Sequence, residues 1–296
     1  MEWYVYALLA PAFWALNNVF VKFLITNKFK NYVPMISSII MMDLPYATII
    51  LLILPITINF PYALLALIVG LFPIVAFWFY SKALLLEEVS RLITLFQLIP
   101  VFVTVLSAIF LNEILDLQKY LGIIIIVLAS ILISFRSIKG KASFSKALKY
   151  MIPFSLIIAI YSIMEKYLLN YFDFWSLFFW NIIGASMGIL ILLSFRKPRK
   201  QFTKTLPTVG AKGLFITFIG EGIYVIGTLF SLIAFSLAEA SVVSALLGLQ
   251  PFYLFFYTIL LSMFLPKILK EELTKRVITL KLIAITLMLI GTYLIV

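Results

Sequence analysis

The side chains able to take part in chemistry are few, and the most distinctive is a carboxylate set deep in an apolar segment. Glu221 stands between Gly220 and Gly222, with no basic residue within one helical turn. Tyr224 follows at helical spacing on the same face. A buried, unpaired carboxylate is costly, and it is tolerated when it exchanges a proton, meets a cation or receives a hydrogen bond from another helix. We interpret Glu221 as a candidate proton or cation site, with a structural hydrogen bond as the alternative.

A second acid, Glu165, follows Tyr161 by about one helical turn and stands beside Lys166. An ion pair with a lysine and a role in binding a solute both fit this pattern. Asp43 lies midway along another apolar segment, shortly before Pro45. We expect Asp43 to be a structural acid whose carboxylate is satisfied by a partner.

Neutral polar and aromatic side chains within the apolar segments complete the candidate binding residues. Asn17 and Asn18 follow Trp14 by about one turn, and amides at such positions either bind a solute or join helices. Aromatic residues make up 16% of the chain, so Trp78 is as well explained by packing as by binding. The predicted substrate-binding residues are Trp14, Asn17, Asn18, Trp78, Gln97, Tyr161, Glu165, Glu221, Tyr224 and Ser244.

Cysteine and histidine are both absent from the 296 residues. Disulfides, thiol nucleophiles and imidazole ligands or proton shuttles are therefore excluded. An integral-membrane enzyme normally shows a dense polar cluster, and the sequence contains none. We predict a protein that is not an enzyme and that holds no metal or other cofactor; any proton coupling must use carboxylates or tyrosine.

The composition requires a membrane environment for these side chains. Hydrophobic residues make up 64% of the chain and charged residues 12%, and the mean hydropathy is +1.16. The apolar residues form stretches of roughly twenty, the length that crosses ~30 Å of hydrocarbon as a helix. The ten predicted spans are 3–25, 33–54, 61–82, 89–111, 119–135, 150–170, 174–195, 213–237, 241–265 and 277–296.

One short sequence motif occurs twice, about half a chain apart. Glu88 precedes Pro100 by twelve residues, and Glu239 precedes Pro251 by the same step. An acid just before a helix complements the free amide groups at the start of that helix. A proline within a helix removes a backbone hydrogen bond and bends the helix. We interpret both prolines as kinks that assist gating, with a purely architectural role as the alternative.

The repeat also predicts the topology. Each copy holds an odd number of spans, so the second copy must cross the bilayer in the opposite sense, as in secondary transporters. The predicted fold is all-α and integral to the membrane, with ten transmembrane helices in two inverted five-helix repeats. The predicted units are a first repeat at 1–136, a basic cytoplasmic linker at 137–149 and a second repeat at 150–296.

The basic residues lie mainly in the odd-numbered loops between the predicted spans, whereas the even-numbered loops hold acids and Lys119. This asymmetry indicates that the odd-numbered loops are cytoplasmic. We therefore predict a multi-pass protein of the cell membrane with both termini extracytoplasmic. The net charge of +11, arranged in this way, suits anionic lipid headgroups and argues against a nucleic-acid partner.

The repeated motifs resemble those of the drug/metabolite transporter superfamily, EamA type, over essentially the whole chain. That resemblance implies ten helices in two inverted repeats around a central cavity. Phe264 departs from the pattern, since it stands where the first half has Glu113. The predicted orientation departs as well, because familiar members keep both termini in the cytoplasm. The residues that carry the resemblance are Trp14-Ala15 to Lys22, Ala83, Glu88-Val89-Ser90, Pro100-Val101, Phe110 to Glu113, Gln118, Gly122, Ala234, Glu239-Ala240-Ser241, Pro251 and Gly291.

These features favour a secondary transporter that moves a small metabolite by alternating access through a cavity between the repeats. The excess of buried acids over buried bases favours a cationic or zwitterionic solute such as an amino acid, with protons as a possible coupling ion. A flippase for lipid or lipid-linked sugar is the alternative, and a channel is disfavoured by the repeat. Gly184 and Gly188 permit close helix approach, which fits either a monomer or a homodimer.

Overall fold

The computed structural model describes residues 2–29, 32–84, 86, 92, 95–134, 147–264 and 275–296, and within these residues all regular structure is helical. The predicted all-helical fold is confirmed in this part of the chain. The helices are α1 Trp3–Asn27, α2 Tyr32–Ile53, α3 Tyr62–Val69, α4 Phe72–Leu84, α5 Leu98–Phe110, α6 Leu117–Ser134, α7 Leu148–Leu168, α8 Phe174–Ser194, α9 Arg196–Leu237, α10 Ala240–Leu247, α11 Gln250–Phe264 and α12 Lys275–Ile295.

Most of these helices are long and apolar enough to cross a bilayer. Seven candidate spans are found in the described residues, with mean hydropathies between 1.4 and 2.3. Shorter apolar stretches of α5, α6 and α12 cover the positions of the fourth, fifth and tenth predicted spans. The count of ten transmembrane helices stays a prediction.

Two of the predicted spans are each built from two helices. The third span breaks between α3 and α4, where the Leu71 amide donates to the Ile68 carbonyl at 3.0 Å. The ninth span breaks between α10 and α11, where the Leu249 amide donates to the Leu246 carbonyl at 3.0 Å. Hydrogen bonds of this shorter i to i−3 type tighten a turn and change the direction of the helix axis.

Helix α9 begins well before the predicted eighth span. Residues 196–209, which the sequence places in the seventh loop, are helical and mostly exposed. That loop assignment is wrong because Arg, Lys, Gln and Leu in this segment are good helix formers. Gly210 separates this basic segment from the spanning part of α9 with φ 67° and ψ 170°, a conformation that glycine adopts without steric cost.

Helix packing interleaves the two halves of the sequence. The helix with the most extensive contacts to α1 is α9, and α9 also packs on α2 and α8. Helix α7 packs on α4 and α5 in a corresponding way, and α6 packs on α12. Elements distant in sequence therefore enclose the centre of the molecule, and buried apolar side chains from both halves form the largest core.

Close approach of α3 and α8 depends on two glycines. A Cβ added at Gly184 would collide with the Leu67 carbonyl, and one added at Gly70 would collide with the Asn181 carbonyl. At Gly188 the nearest atoms are instead the methyl ends of Leu71 and Ile74. A backbone atom cannot move aside as the end of a flexible side chain can. Of these three positions, only those of Gly184 and Gly70 therefore require glycine.

We expect Gly184→Ala to destabilise the protein by about 1–3 kcal/mol, the usual cost of overpacking, while Gly188→Ala stays within a few tenths. Thermal unfolding of the two purified variants in one detergent measures the difference. Equal midpoints for both variants would contradict the close contact between Gly184 and Leu67.

Candidate functional site

A cavity of about 130 Å³ lies where α1, α5, α7, α10 and α11 meet. Its described walls carry no charged side chain, but they include amides and hydroxyls among apolar groups. A cavity of this kind can hold a small solute and orient it by hydrogen bonds. Six residues singled out from the sequence line it: Trp14, Asn18, Gln97, Pro100, Ser244 and Pro251.

Gln97, the residue before α5, contacts the break between α10 and α11 at this cavity. Its Nε2 donates to the Gly248 carbonyl at 3.2 Å, and the Ser130 hydroxyl donates to the same carbonyl at 3.0 Å. A Cβ at residue 248 would stand 3.1 Å from Gln97 Oε1, so glycine leaves room for the amide. Gln97 Oε1 is buried without a hydrogen-bond partner among the described residues. It is therefore an unsatisfied acceptor on a residue that lines the cavity.

Both prolines lie at the start of a helix. Pro100 is in the first turn of α5, and Pro251 is the second residue of α11. Proline in a first turn costs no intrahelical hydrogen bond, because the amides there have no helical partner. The expectation that each proline kinks a continuous helix by removing a bond is therefore wrong. Each proline instead follows an interruption and prevents its repair, since proline has no amide N–H to donate to the preceding turn and its ring clashes with the carbonyl four residues earlier.

We expect Pro100→Ala and Pro251→Ala to give folded proteins whose transport is severalfold slower, because alanine permits the two segments to join into a stiffer helix. Initial uptake rates in proteoliposomes measure the effect. Pro207→Ala, in the exposed part of α9, is the matched control. Parent rates in both cavity variants would leave the prolines with an architectural role alone.

Behind Trp14, as seen from the cavity, the structure brings together Asn17 and Glu221. Asn17 Nδ2 donates to the Gly220 carbonyl at 2.7 Å and lies 3.5 Å from Glu221 Oε1. The Trp14 indole N–H donates to Thr228 Oγ1 at 3.3 Å, and its ring stacks on Tyr224 with centroids 6.4 Å apart. Asn17 and Glu221 are buried, and neither lines the cavity described above.

Glu165 has an amide and the Tyr161 hydroxyl as its hydrogen-bond partners. Asn181 Nδ2 on α8 donates to Glu165 Oε1 at 3.0 Å and lies 3.4 Å from the Tyr161 hydroxyl. Lys166 points elsewhere, since its Nζ donates to the carbonyls of Phe235 and Ala238 at 2.7 Å each. The proposed pairing of Glu165 with this neighbouring lysine is therefore wrong, and Lys166 satisfies the carbonyls at the end of α9 instead.

Three further sequence assignments have different outcomes. Asp43 is buried as expected, but its Oδ1 has no hydrogen-bond partner among the described residues, so the expectation of a satisfied structural acid is wrong for that oxygen. Trp78 is 55% exposed, with the Lys82 ammonium 5.7 Å from its ring centroid. It does not line the cavity, because α4 directs it outward. Glu88 lies outside the described residues.

A set of polar contacts closes one end of the helix assembly; we refer to it as the latch. Both carboxylate oxygens of Glu113 accept the Ala240 amide N–H, at 2.8 and 3.0 Å, at the start of α10. Lys119 and Glu239 form an ion pair at 3.2 Å. Deeper in the same interface, the hydroxyls of Ser107 and Ser241 are 2.5 Å apart.

The latch corrects the predicted role of Glu239. This residue is the N-cap of α10, yet its side chain makes no capping hydrogen bond, and the capping carboxylate comes from Glu113 in the other half of the chain. Sequence reasoning missed this contact because Glu113 and Ala240 are 127 positions apart. The available signal was the recurrence of acids at the ends of the repeated motifs.

Comparisons with known proteins agree with this arrangement. A sequence model of the EamA-like transporter family matches residues 1–135, which confirms the predicted resemblance. One solved crystal structure covers 97% of this chain and 95% of its own with a TM-score of 0.67 at 16% identity, so the two share a fold. None of the curated proteins matches the chain. Residues 1–135 are therefore similar to the EamA-like transporter family of the drug/metabolite transporter superfamily, and this match together with the apolar helices supports a multi-pass membrane protein.

Proposed function

We propose that the protein is a secondary transporter that moves a small cationic or zwitterionic metabolite, such as an amino acid, by alternating access through the central cavity. The observation that carries this proposal is the cavity itself, whose walls come from helices in both halves of the chain. Solute bound at such a place contacts two bundles at once, so a movement of one bundle against the other changes the access route.

The packing of the helices supports two inverted repeats. Each predicted span in one half has an equivalent span five places along the chain in the other half. Under this equivalence, the contact between α1 and α9 corresponds to the contact between α7 and α4. The same exchange turns α1 against α11 into α7 against α5, and it leaves α2 against α8 and α6 against α12 unchanged. A packing pattern that is unchanged when the two halves are exchanged is expected if a two-fold axis in the membrane plane relates them.

The latch supports alternating access because it closes one end of the interface between the halves. Glu113 and Lys119 belong to the first half, and Ala240 and Glu239 belong to the second. These contacts lie on the side opposite the basic loops. Under the predicted orientation, the structure is therefore closed toward the outside, and transport requires the latch to open once per cycle.

The size and polarity of the cavity favour a small metabolite over the alternative of a lipid-linked sugar. About 130 Å³ is below the ~300–1,000 Å³ typical of pockets for drug-sized ligands. Its polar groups include the side-chain amides of Asn18, Gln97 and Gln250 and the hydroxyls of Ser162 and Ser244. These groups suit a compact solute with several hydrogen-bonding atoms.

The proposal is tested with the purified full chain in two steps. A thermal-shift screen against amino acids, amines, nucleotides and lipid headgroups identifies a stabilising solute by mass action, and radiolabelled exchange in proteoliposomes then measures its movement. Gln97→Leu should weaken exchange at least tenfold, while Gln118→Leu, an exposed glutamine, should not. Headgroup binding with lipid scrambling, and no solute exchange, would favour the flippase.

We predict that both termini are extracytoplasmic, because the basic residues concentrate in the odd-numbered loops. A reporter that is active only in the cytoplasm should be silent when fused after Val296. The same reporter inserted in the linker at 137–149 should be active and is the control. An active reporter at the C-terminus would show that the true topology is the inverse of the predicted one. The latch would then lie on the cytoplasmic side.

A further inference from the structure

A groove lined mainly by basic side chains runs along the exposed segment 196–209 of α9. It encloses a volume of about 480 Å³, and every residue that lines it belongs to this one segment. Four of the lining side chains are basic, and the other two are neutral groups able to form hydrogen bonds. We call this space the cationic groove. The lining residues are Arg196, Lys197, Lys200, Gln201, Lys204 and Thr205.

The segment that carries the cationic groove is held at the membrane surface. Helix α8, a candidate span, ends at Ser194, and the extended backbone of Phe195 separates it from α9. At the other end of the segment, Gly210 turns the chain into the spanning part of α9. Val209, just before that turn, is buried in one cluster with Leu24 near the end of α1. Both ends of the segment therefore lie where spanning helices leave the hydrocarbon, which keeps the groove within reach of lipid headgroups.

The segment has a basic face and an apolar face. Phe202 and Leu206 are half-buried, whereas Lys200 and Lys204 are exposed. Each of these apolar residues follows a lysine by two positions, which is about 200° around a helix. A helix of this pattern at a membrane surface turns its apolar side chains toward the acyl chains and its charges toward the headgroups.

The positive charge of the segment is not balanced by the described part of the chain. The sequence contains no acid from 196 to 212, and among the described side chains the ion pair that is present lies in the latch. Lys200 is four positions from both Arg196 and Lys204, and like charges at this spacing destabilise a helix. The first turn of α9 also contains no acid, although cations are unfavourable at that end of a helix. The segment therefore gains stability from an anion supplied by another molecule.

We propose that the cationic groove binds the headgroup of an anionic phospholipid. Arg196 offers paired N–H donors to phosphate oxygens, and the lysines add charge. The side chains of Gln201 and Thr205 supply neutral donors for further headgroup oxygens. A zwitterionic lipid carries its own cation beside the phosphate, so it gains less from four basic side chains. This proposal concerns a surface remote from the solute cavity and does not rest on the proposed transport.

Lipid binding is tested by thermal unfolding of the purified full chain in detergent at low ionic strength. Phosphatidylglycerol or phosphatidylcholine with the same acyl chains is added at equal molar ratio. Phosphatidylglycerol should raise the unfolding midpoint by several degrees more than phosphatidylcholine, because a ligand that binds the folded state stabilises it by mass action. The difference should shrink as salt is added, since salt screens exposed charges. Equal shifts from the two lipids at low ionic strength would overturn the proposal.

Variants assign the effect to the cationic groove. Lys200→Gln/Lys204→Gln should lose most of the shift caused by phosphatidylglycerol. Without lipid this variant should unfold no lower than the parent, because glutamine is a good helix former and the change removes like charges. Lys149→Gln/Lys212→Gln removes the same charge at two exposed positions outside the groove and should keep the parent's shift. An equal loss in both double variants, or a full shift in the groove variant, would overturn the assignment.

Soluble glycerol phosphate separates a lipid from a free phosphate compound. It presents a phosphate group without acyl chains, so it should leave the midpoint unchanged at the concentration of lipid used. A shift as large as that from phosphatidylglycerol would assign the groove to a soluble phosphate compound and overturn the lipid proposal. None of these measurements involves transport, so their outcome is independent of the proposed function.

Discussion

Glu221→Gln is expected to fold normally and to lose transport by a factor of about 10–100, with the remaining activity insensitive to pH. Glutamine keeps the shape of the side chain and its contact with Asn17, but it removes the negative charge and the titratable proton. A hydrogen bond to a charged group contributes about 1.5–3 kcal/mol, and 1.4 kcal/mol corresponds to a tenfold rate.

Exchange in proteoliposomes across a pH series measures the effect of Glu221→Gln. Glu2→Gln makes the same chemical change at an exposed position and should behave as the parent. Unchanged rates and an unchanged pH profile would reduce Glu221 to a structural hydrogen-bonding group. Asn17, Tyr161 and Glu165 would then be the remaining polar candidates on α1 and α7.

Glu113→Gln should open the latch, because glutamine cannot offer two charged oxygens to the start of α10. The Ala240 amide N–H now lies 2.8 and 3.0 Å from those oxygens. A carboxylate at a helix N-terminus contributes about 1 kcal/mol. Its loss shifts the equilibrium between the closed and open states about fivefold toward the open state.

The absence of cysteine makes this shift directly measurable. A single Ser244→Cys, in the cavity wall, is labelled with a membrane-impermeant thiol reagent applied from each side. In the Glu113→Gln background, labelling from the latch side should become severalfold faster. Asp116→Asn in the same loop is the control, since asparagine also caps the Lys119 amide. Equal labelling rates in the two backgrounds would show that Glu113 does not hold this end closed.

The sequence predicts those properties of a residue that depend only on the residue itself and its immediate neighbours. The burial of Glu221 follows from its apolar surroundings. A carboxylate at the start of α10 was also predictable, although Glu113 supplies it and the adjacent Glu239 does not. The partners were not predictable, because they come from distant helices: Asn17 reaches α9 from α1, and Glu113 reaches α10 from the other half of the chain. Side chains able to hydrogen-bond are visible in a sequence, whereas the pairs they form depend on packing.

The separation of the buried acids Glu165 and Glu221 from the cavity illustrates the same limit. The sequence predicted one binding region containing Trp14, Glu165 and Glu221, and the structure places Trp14 between a neutral cavity and the acids. Helix periodicity alone could not predict this, because Asn17 and Asn18 are adjacent on α1 and differ by only about 100° in direction. That angle directs one amide to Glu221 and the other to the cavity.

The joint at Gly210 has a consequence for how the protein senses the lipid around it. A Cβ at residue 210 would meet nothing within 4 Å, so the joint is bounded by no neighbouring atom, and the basic segment 196–209 suits the membrane surface. With that segment resting on the headgroups, a thinner bilayer tilts the spanning part of α9 about Gly210. The tilt changes the depth of Glu221 while the surface segment stays flat. A bilayer with a different acyl-chain length would thereby set Glu221 at a different depth.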